Sequence, residues 1–136
     1  MEKNRRKIAA VDFDGTLCKG DKFPNIGKPN DKVIRLVKKL QQKDWAIILW
    51  TCRCGVYLDQ AVEWCVQQGI YFDCVNEPYH EQVEYWKSVS GLDEQISPKI
   101  FADLYIDDRC MNAADFEKLT SSIDIEDDIN KMTIGR

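Results

Sequence analysis

Acidic residues occur in this sequence where buried strands would end. Asp12 and Asp14 follow the apolar run Ile-Ala-Ala-Val, and Asp107 and Asp108 follow the run Leu-Tyr-Ile. Four carboxylates brought to one place repel each other unless a cation neutralises them. The chain has one histidine and no cysteine pair at zinc-binding spacing, so the ligands would be oxygens, which favour Mg²⁺ before Ca²⁺ or Mn²⁺. We therefore predict a Mg²⁺ site built from these carboxylates.

Two other side chains could act beside this metal. Thr51 ends the apolar run Ala-Ile-Ile-Leu-Trp, and Lys99 precedes the last apolar run and can reach the same edge. Lys87 is an alternative to Lys99. A carboxylate pair, a hydroxyl, an ammonium group and Mg²⁺ are typical of phosphoryl transfer, in which positioning and charge neutralisation supply most of the catalysis.

Alternating strand and helix patterns would position these groups. Strands are predicted over residues 7–11, 46–50, 71–75 and 102–106. Helices are predicted from the N-cap Asn30 to about residue 40, over 57–66 with a stop at Gly69, around 83–89, and over 112–119. Such alternation predicts an α/β fold, a Rossmann-like three-layer sandwich with a mainly parallel sheet, in one domain over residues 1–136. Ligands bind beyond the carboxyl ends of the strands in such sheets.

The motifs, taken in order, resemble those of the haloacid dehalogenase superfamily. The resemblance rests on Asp12-x-Asp14-Gly15-Thr16, then Thr51, Lys99 and Asp107-Asp108, and covers residues 7 to 110. Within that superfamily the chain is most similar to small hydrolases that lack a cap domain and carry an Ile-Asp-Asp-Arg ending, here Ile106 to Arg109.

This resemblance implies a role for each acidic residue. Asp12 would be the nucleophile that forms an aspartyl-phosphate, and it would also bind Mg²⁺. Asp14 would be the general acid and then the general base, with its backbone carbonyl on Mg²⁺. Asp108 would bind Mg²⁺ directly or through water, with Asp107 beside it to orient Lys99 or water, and the sequence does not fix which of the two is the closer ligand.

The remaining motif residues would bind the substrate. The resemblance implies that Thr51 hydrogen-bonds the phosphoryl oxygens and that Lys99 neutralises the phosphate. We also assign five neighbouring residues to substrate binding: Gly15, Thr16, Cys52, Arg53 and Arg109. For the two arginines, a surface salt bridge is an equally good interpretation.

Composition narrows the class of partner. The chain of 136 residues has a net charge of −4, which disfavours a nonspecific nucleic-acid binder. No apolar run is long enough for a transmembrane helix or a signal peptide, so we expect no membrane association. Without a secretion signal, the six cysteines are expected to be reduced thiols of a cytoplasmic protein.

The expected function is that of a Mg²⁺-dependent phosphomonoester hydrolase. In the superfamily that the chain resembles, a cap domain is inserted at one of two places, which correspond here to residues 18–30 and 76–98. Both segments are too short for a cap domain, so we expect an open site. The phosphorylated substrate could then be macromolecular. One alternative is a polynucleotide phosphatase that holds a nucleic-acid end with the lysine-rich segment 18–30. Another is a non-catalytic domain that binds phosphate or a partner protein. The sequence leaves the oligomeric state open.

Overall fold

A parallel β-sheet forms the centre of the molecule. A computed structural model describes residues 5–91 and 99–109 of the chain. Its elements are, in order, β1 (Ile8–Val11), α1 (Asp31–Gln42), β2 (Ala46–Leu49), α2 (Gly55–Gln67), β3 (Cys74–Val75), α3 (His80–Ser90) and β4 (Leu104–Ile106). These strands pair in parallel in the order β3-β2-β1-β4. The predicted α/β, Rossmann-like architecture is confirmed.

The two central strands are buried on both faces. Their apolar runs have no polar residue, as expected for strands covered on both sides. Alternate side chains point to opposite faces and form two separate apolar clusters. One cluster contains Ala9, Val11, Ile47 and Leu49, and the other contains Ile8, Ala10, Ala46 and Ile48.

The first two helices begin and end near their predicted bounds. Asn30 is the N-cap residue of α1, although its side chain makes no capping hydrogen bond. One apolar side of α1 and one of α2 pack on the same sheet face, through the buried residues Ile34, Val37, Leu40, Ala61 and Cys65. Gly69 follows the C-cap of α2 with a φ of +87°, so its predicted role as a helix stop is confirmed.

The later elements differ in length from the predictions. Strand β3 starts at Cys74 and not at residue 71, because the Tyr71 amide donates to the Gln41 side chain at 2.8 Å instead of entering the sheet. Helix α3 is longer than the expected 83–89 and ends at Gly91, whose φ of +72° suits a C-terminal glycine. The helix predicted over 112–119 lies outside the described residues.

Ion pairs between arginine and aspartate lie at the amino edge of the sheet. Asp73 accepts a hydrogen bond from the Ile47 amide at 2.8 Å and pairs with Arg6 at 3.1 Å. The carboxylate therefore accepts from the second amide of β2 while a guanidinium neutralises it. The same arrangement recurs at β1 with Asp103, Ile8 and Arg5.

Helices of membrane-spanning length and apolarity are not found among the described residues.

Replacing Asp73 by alanine should lower the free energy of unfolding by about 1–3 kcal/mol, because the Ile47 amide and Arg6 lose their acceptor. Urea denaturation would measure this loss. The matched control is Asp59→Ala, which removes an exposed carboxylate from α2 and should change stability by less than about 0.5 kcal/mol. Equal losses in the two variants would contradict the role of Asp73.

Candidate active site

Three carboxylates meet at the carboxyl edge of the sheet. Strands β1 and β4 are parallel neighbours, and the Asp12 amide donates to the Ile106 carbonyl at 2.9 Å just beyond them. This pairing brings Asp12 together with Asp107 and Asp108, and one oxygen from each lies within 4.8 Å of the others. Because all three donors are carboxylate oxygens, the cluster fits a hard divalent cation such as Mg²⁺.

A buried hydroxyl links the two strand ends. Thr16 is 3% exposed, donates to Asp12 Oδ2 at 3.1 Å and accepts from the Asp108 amide at 3.0 Å. Both hydrogen-bonding functions of the hydroxyl are therefore used within the protein. Thr16 therefore positions Asp12, and the prediction that it also binds substrate stays a prediction.

Gly15 allows these strand ends to approach each other. Its φ is +83°, a conformation that glycine adopts at little cost, and a Cβ there would collide with the Asp108 carboxylate. Gly15 therefore has a steric role that its predicted part in substrate binding does not describe.

Burial and like charges act on Asp12. Burial is the largest cause that raises its pKa from 3.8 to about 6, while the Thr16 hydrogen bond lowers the pKa and the charge of Asp107 raises it. The ionised form is thus disfavoured near this edge. A bound proton or a cation would relieve the repulsion.

The fourth predicted carboxylate, that of Asp14, lies outside the cluster of three. Asp14 accepts two hydrogen bonds from Arg53, from Nε to Oδ2 and from Nη2 to Oδ1, both at 2.8 Å. Its side chain remains 26% exposed. The expectation that four carboxylates surround one cation is therefore wrong, because a guanidinium of the chain neutralises Asp14. The predicted contact of its backbone carbonyl with Mg²⁺ stays a prediction.

Arg53 is an interior residue. It is 2% exposed and donates to the carbonyls of Pro24 and Asn25 at 3.0 and 3.3 Å. Its Cζ lies 5.0 Å from the ring centres of both Phe13 and Phe23. This burial shows that the interpretation of Arg53 as a surface salt bridge is wrong, while its predicted part in substrate binding stays a prediction. The residue joins Asp14 to the segment 18–30, which we call the flap.

Thr51 lies at the same edge, and its hydroxyl hydrogen has no acceptor among residues 5–91 and 99–109. Its hydroxyl oxygen accepts from the Arg53 amide at 3.2 Å, which leaves the hydroxyl hydrogen available for a phosphate oxygen. The Thr51 amide donates to the side chain of Asn76 at 2.8 Å. Sequence reasoning missed Asn76. The signal that could have indicated it is a polar asparagine directly after the apolar residues of β3, and the φ of +55° found there is one that asparagine tolerates better than most residues.

The remaining predicted residues are mostly exposed. Lys99 is exposed, and Lys87 is half-buried on α3. Arg109 is exposed and its amide donates to Asp107 Oδ1 at 2.9 Å, while Cys52 is exposed beside Thr51. Substrate contacts by these residues stay predictions.

Two cavities lie at opposite ends of the strands. One of about 160 Å³ adjoins the cluster and is lined by Gly15, Thr16, Asn30, Val33, Ile106, Asp107 and Asp108. A larger one, of about 660 Å³, lies near Arg5, Arg6 and α3. The smaller cavity is the better candidate for a metal-dependent site, because two carboxylates of the cluster, Asp107 and Asp108, line it.

The chain is thus a Rossmann-like α/β protein with an acidic site at the carboxyl edge of a parallel sheet. It is similar to a solved structure described as a conserved protein coded by a locus from Bacteroides thetaiotaomicron, with 34% identity over 90% of this chain and 93% of that chain and a TM-score of 0.63. The chain belongs to the family of that Bacteroides protein. No protein-family model and no curated protein matches the chain.

Mg²⁺ should raise the melting temperature more at about pH 7.5 than at about pH 5. The raised pKa of Asp12 means that the metal-free fold loses stability as pH rises from about 4 to about 6, where the buried carboxyl ionises. A cation would cancel that loss. Thermal unfolding with Mg²⁺ and with a chelator would measure the effect.

The control for this experiment is Asp12→Asn. This variant should unfold at a higher temperature than the wild type without metal at about pH 7.5, because one repelling charge is gone, and Mg²⁺ should shift it little. If Mg²⁺ shifted the melting temperature equally in both proteins, Asp12 would not be a ligand of the metal.

Arg53→Met should lower the free energy of unfolding by about 3 kcal/mol, because it leaves Asp14 and two flap carbonyls without their donor. In Arg53→Met with Asp14→Asn the loss should be smaller, since no unpaired charge remains. Arg109→Met, an exposed control, should change stability by less than about 0.5 kcal/mol. A similar loss in both arginine variants would contradict the buried ion pair.

Proposed function

We propose that the protein is a Mg²⁺-dependent phosphomonoester hydrolase that forms an aspartyl-phosphate on Asp12. The observation that carries the proposal is the cluster of Asp12, Asp107 and Asp108, whose carboxylate oxygens lie within 4.8 Å of one another at the carboxyl edge. The order of motifs that resembles the haloacid dehalogenase superfamily supports it further.

The three carboxylates would hold Mg²⁺ in this proposal. The metal would neutralise charge on the phosphate, which otherwise repels an anionic nucleophile. Asp12 is the candidate nucleophile because the resemblance to the haloacid dehalogenase superfamily implies that role. The hydrogen bond from Thr16 to its Oδ2 would fix the carboxylate relative to the backbone. Thr51 would donate its hydroxyl hydrogen to a phosphoryl oxygen.

Hydrolysis would take two steps. In the first, an Asp12 oxygen attacks phosphorus, the bond from phosphorus to the leaving oxygen breaks, and Asp14 gives that oxygen a proton. In the second, water attacks the phosphorus of the aspartyl-phosphate, Asp14 takes its proton, and phosphate leaves with Asp12 restored.

The Arg53 contacts place a condition on this mechanism. Both Asp14 oxygens accept from the guanidinium, so one of them has to turn away from it and take up a proton from solvent before it can protonate the leaving oxygen. The partial exposure of the Asp14 side chain provides room for this rotation. Arg53 would then hold the other oxygen and limit the carboxylate to a small movement.

A polynucleotide phosphatase is the second candidate. The exposed flap lysines Lys19, Lys22 and Lys28 favour it, because they would place positive charge beside the site despite the acidic total. Retention on immobilised single-stranded DNA that weakens as salt rises would support this candidate.

The reduced cysteines among the described residues agree with a cytoplasmic location, which we include in the proposal.

Purified protein should hydrolyse an aryl phosphate with Mg²⁺ and lose this activity in excess chelator. Asp12→Asn should abolish turnover, because an amide is a poor nucleophile, and Asp14→Asn should lower it by about 10²–10⁴-fold. Release of inorganic phosphate would measure both effects.

The matched control is Asp59→Asn, an exposed carboxylate on α2 outside the cluster, which should keep full activity. Turnover by Asp12→Asn would rule out the covalent mechanism. Full activity with the chelator would rule out the metal.

A further inference from the structure

Two exposed aromatic rings lie beside the candidate active site. Phe23 in the flap is 59% exposed and Tyr57 in the first turn of α2 is 43% exposed, with ring centres 6.2 Å apart. Exposed aromatic rings that contact each other provide apolar area with little side-chain freedom, which suits ligand binding. We call this pair the aromatic rim.

Arg53 connects the rim to the candidate general acid. Its guanidinium lies 5.0 Å from the centre of the Phe23 ring and forms the two hydrogen bonds to Asp14. It also donates to the Tyr57 carbonyl at 3.4 Å. A single guanidinium therefore lies between the Phe23 ring and the Asp14 carboxylate, and it contacts the backbone below Tyr57.

This position bears on specificity if the proposed function is correct. Asp14 would protonate the leaving oxygen, so the leaving group has to lie on the side of the phosphate that faces Asp14. The Phe23 ring and the Asp14 carboxylate both contact the Arg53 guanidinium, so the rim is one side chain away from Asp14 and is the aromatic surface that a leaving group next to Asp14 would meet. The phosphate and the leaving group would then be bound by different parts of the site.

We propose that Phe23 and Tyr57 select phosphate esters whose leaving group carries a planar aromatic ring. One face of Phe23 is turned to Arg53, and the exposed remainder of the ring is free to stack or to make edge contacts. A nucleobase and a phenol share this chemistry. A saturated leaving group of equal size lacks the flat face that the rim offers.

The test compares 3-phenylpropyl phosphate with 3-cyclohexylpropyl phosphate. Their leaving oxygens have the same chemistry and their rings similar size, so they differ mainly in planarity. Wild-type protein should show a kcat/KM about three- to tenfold higher for the phenyl ester, the range expected for one aromatic contact. Phe23→Leu and Tyr57→Leu should bring the ratio of kcat/KM for the phenyl ester to that for the cyclohexyl ester close to one.

The matched control is Tyr71→Leu. Tyr71 is an equally exposed aromatic residue, at 60%, but it precedes β3 at the opposite edge of the sheet. It should keep the full preference for the phenyl ester. Equal kcat/KM values of the wild type for 3-phenylpropyl and 3-cyclohexylpropyl phosphate would overturn the proposal. A comparison of a nucleoside monophosphate with phosphotyrosine then identifies which planar group the rim prefers.

A binding measurement separates this proposal from the proposed function. The phosphonates with 3-phenylpropyl and 3-cyclohexylpropyl groups cannot be hydrolysed, and calorimetry measures their affinity directly. Tighter binding of the phenyl compound that Phe23→Leu removes would support the rim even if no phosphate ester were hydrolysed. Equal affinity, or no binding of either phosphonate, would overturn the rim even if the protein proved to be a phosphatase.

Discussion

Carboxylates lie at both edges of this parallel sheet. The groups that neutralise their charges differ between the two edges and determine most of the structure around each edge. At the amino edge, Asp73 and Asp103 pair with arginines that lie just before β1. At the carboxyl edge, the only one of the four carboxylates that pairs with a described basic side chain is Asp14. The three others remain close together, and the repulsion among them contributes to the raised pKa of Asp12. The first edge stabilises the fold, and the second is suited to bind a cation.

The buried guanidinium of Arg53 has more than one structural role. It neutralises Asp14, supports the flap carbonyls and lies between two aromatic rings. A charge this deeply buried is tolerated because its donors are satisfied, in part by backbone carbonyls of the flap. Movement of the flap would remove those acceptors, so the position of the flap and the orientation of Asp14 are linked through one side chain.

The sheet and the acidic cluster were predictable because short-range patterns encode them. Unbroken apolar runs indicate strands buried on both faces, and the parallel arrangement places residues after different strands at one edge. The partner of Asp14 was not predictable, because Arg53 lies 39 residues further along the chain and no local pattern marks an arginine as buried. The role of Thr16 depends likewise on Asp108, 92 residues away.

The size of the cavity beside the cluster fits a site that encloses only part of its substrate. About 160 Å³ is well below the ~300–1,000 Å³ typical of pockets that enclose a whole small molecule. A phosphate group is compact, and the cluster and Thr51 would contact its oxygens without surrounding the rest of the molecule. Discrimination would then depend on contacts outside the cavity, where binding energy from the leaving group can help to position the phosphorus. The exposed rings of Phe23 and Tyr57 are well placed for this purpose, because Arg53 holds both the flap and the start of α2 against the residue that would protonate the leaving oxygen.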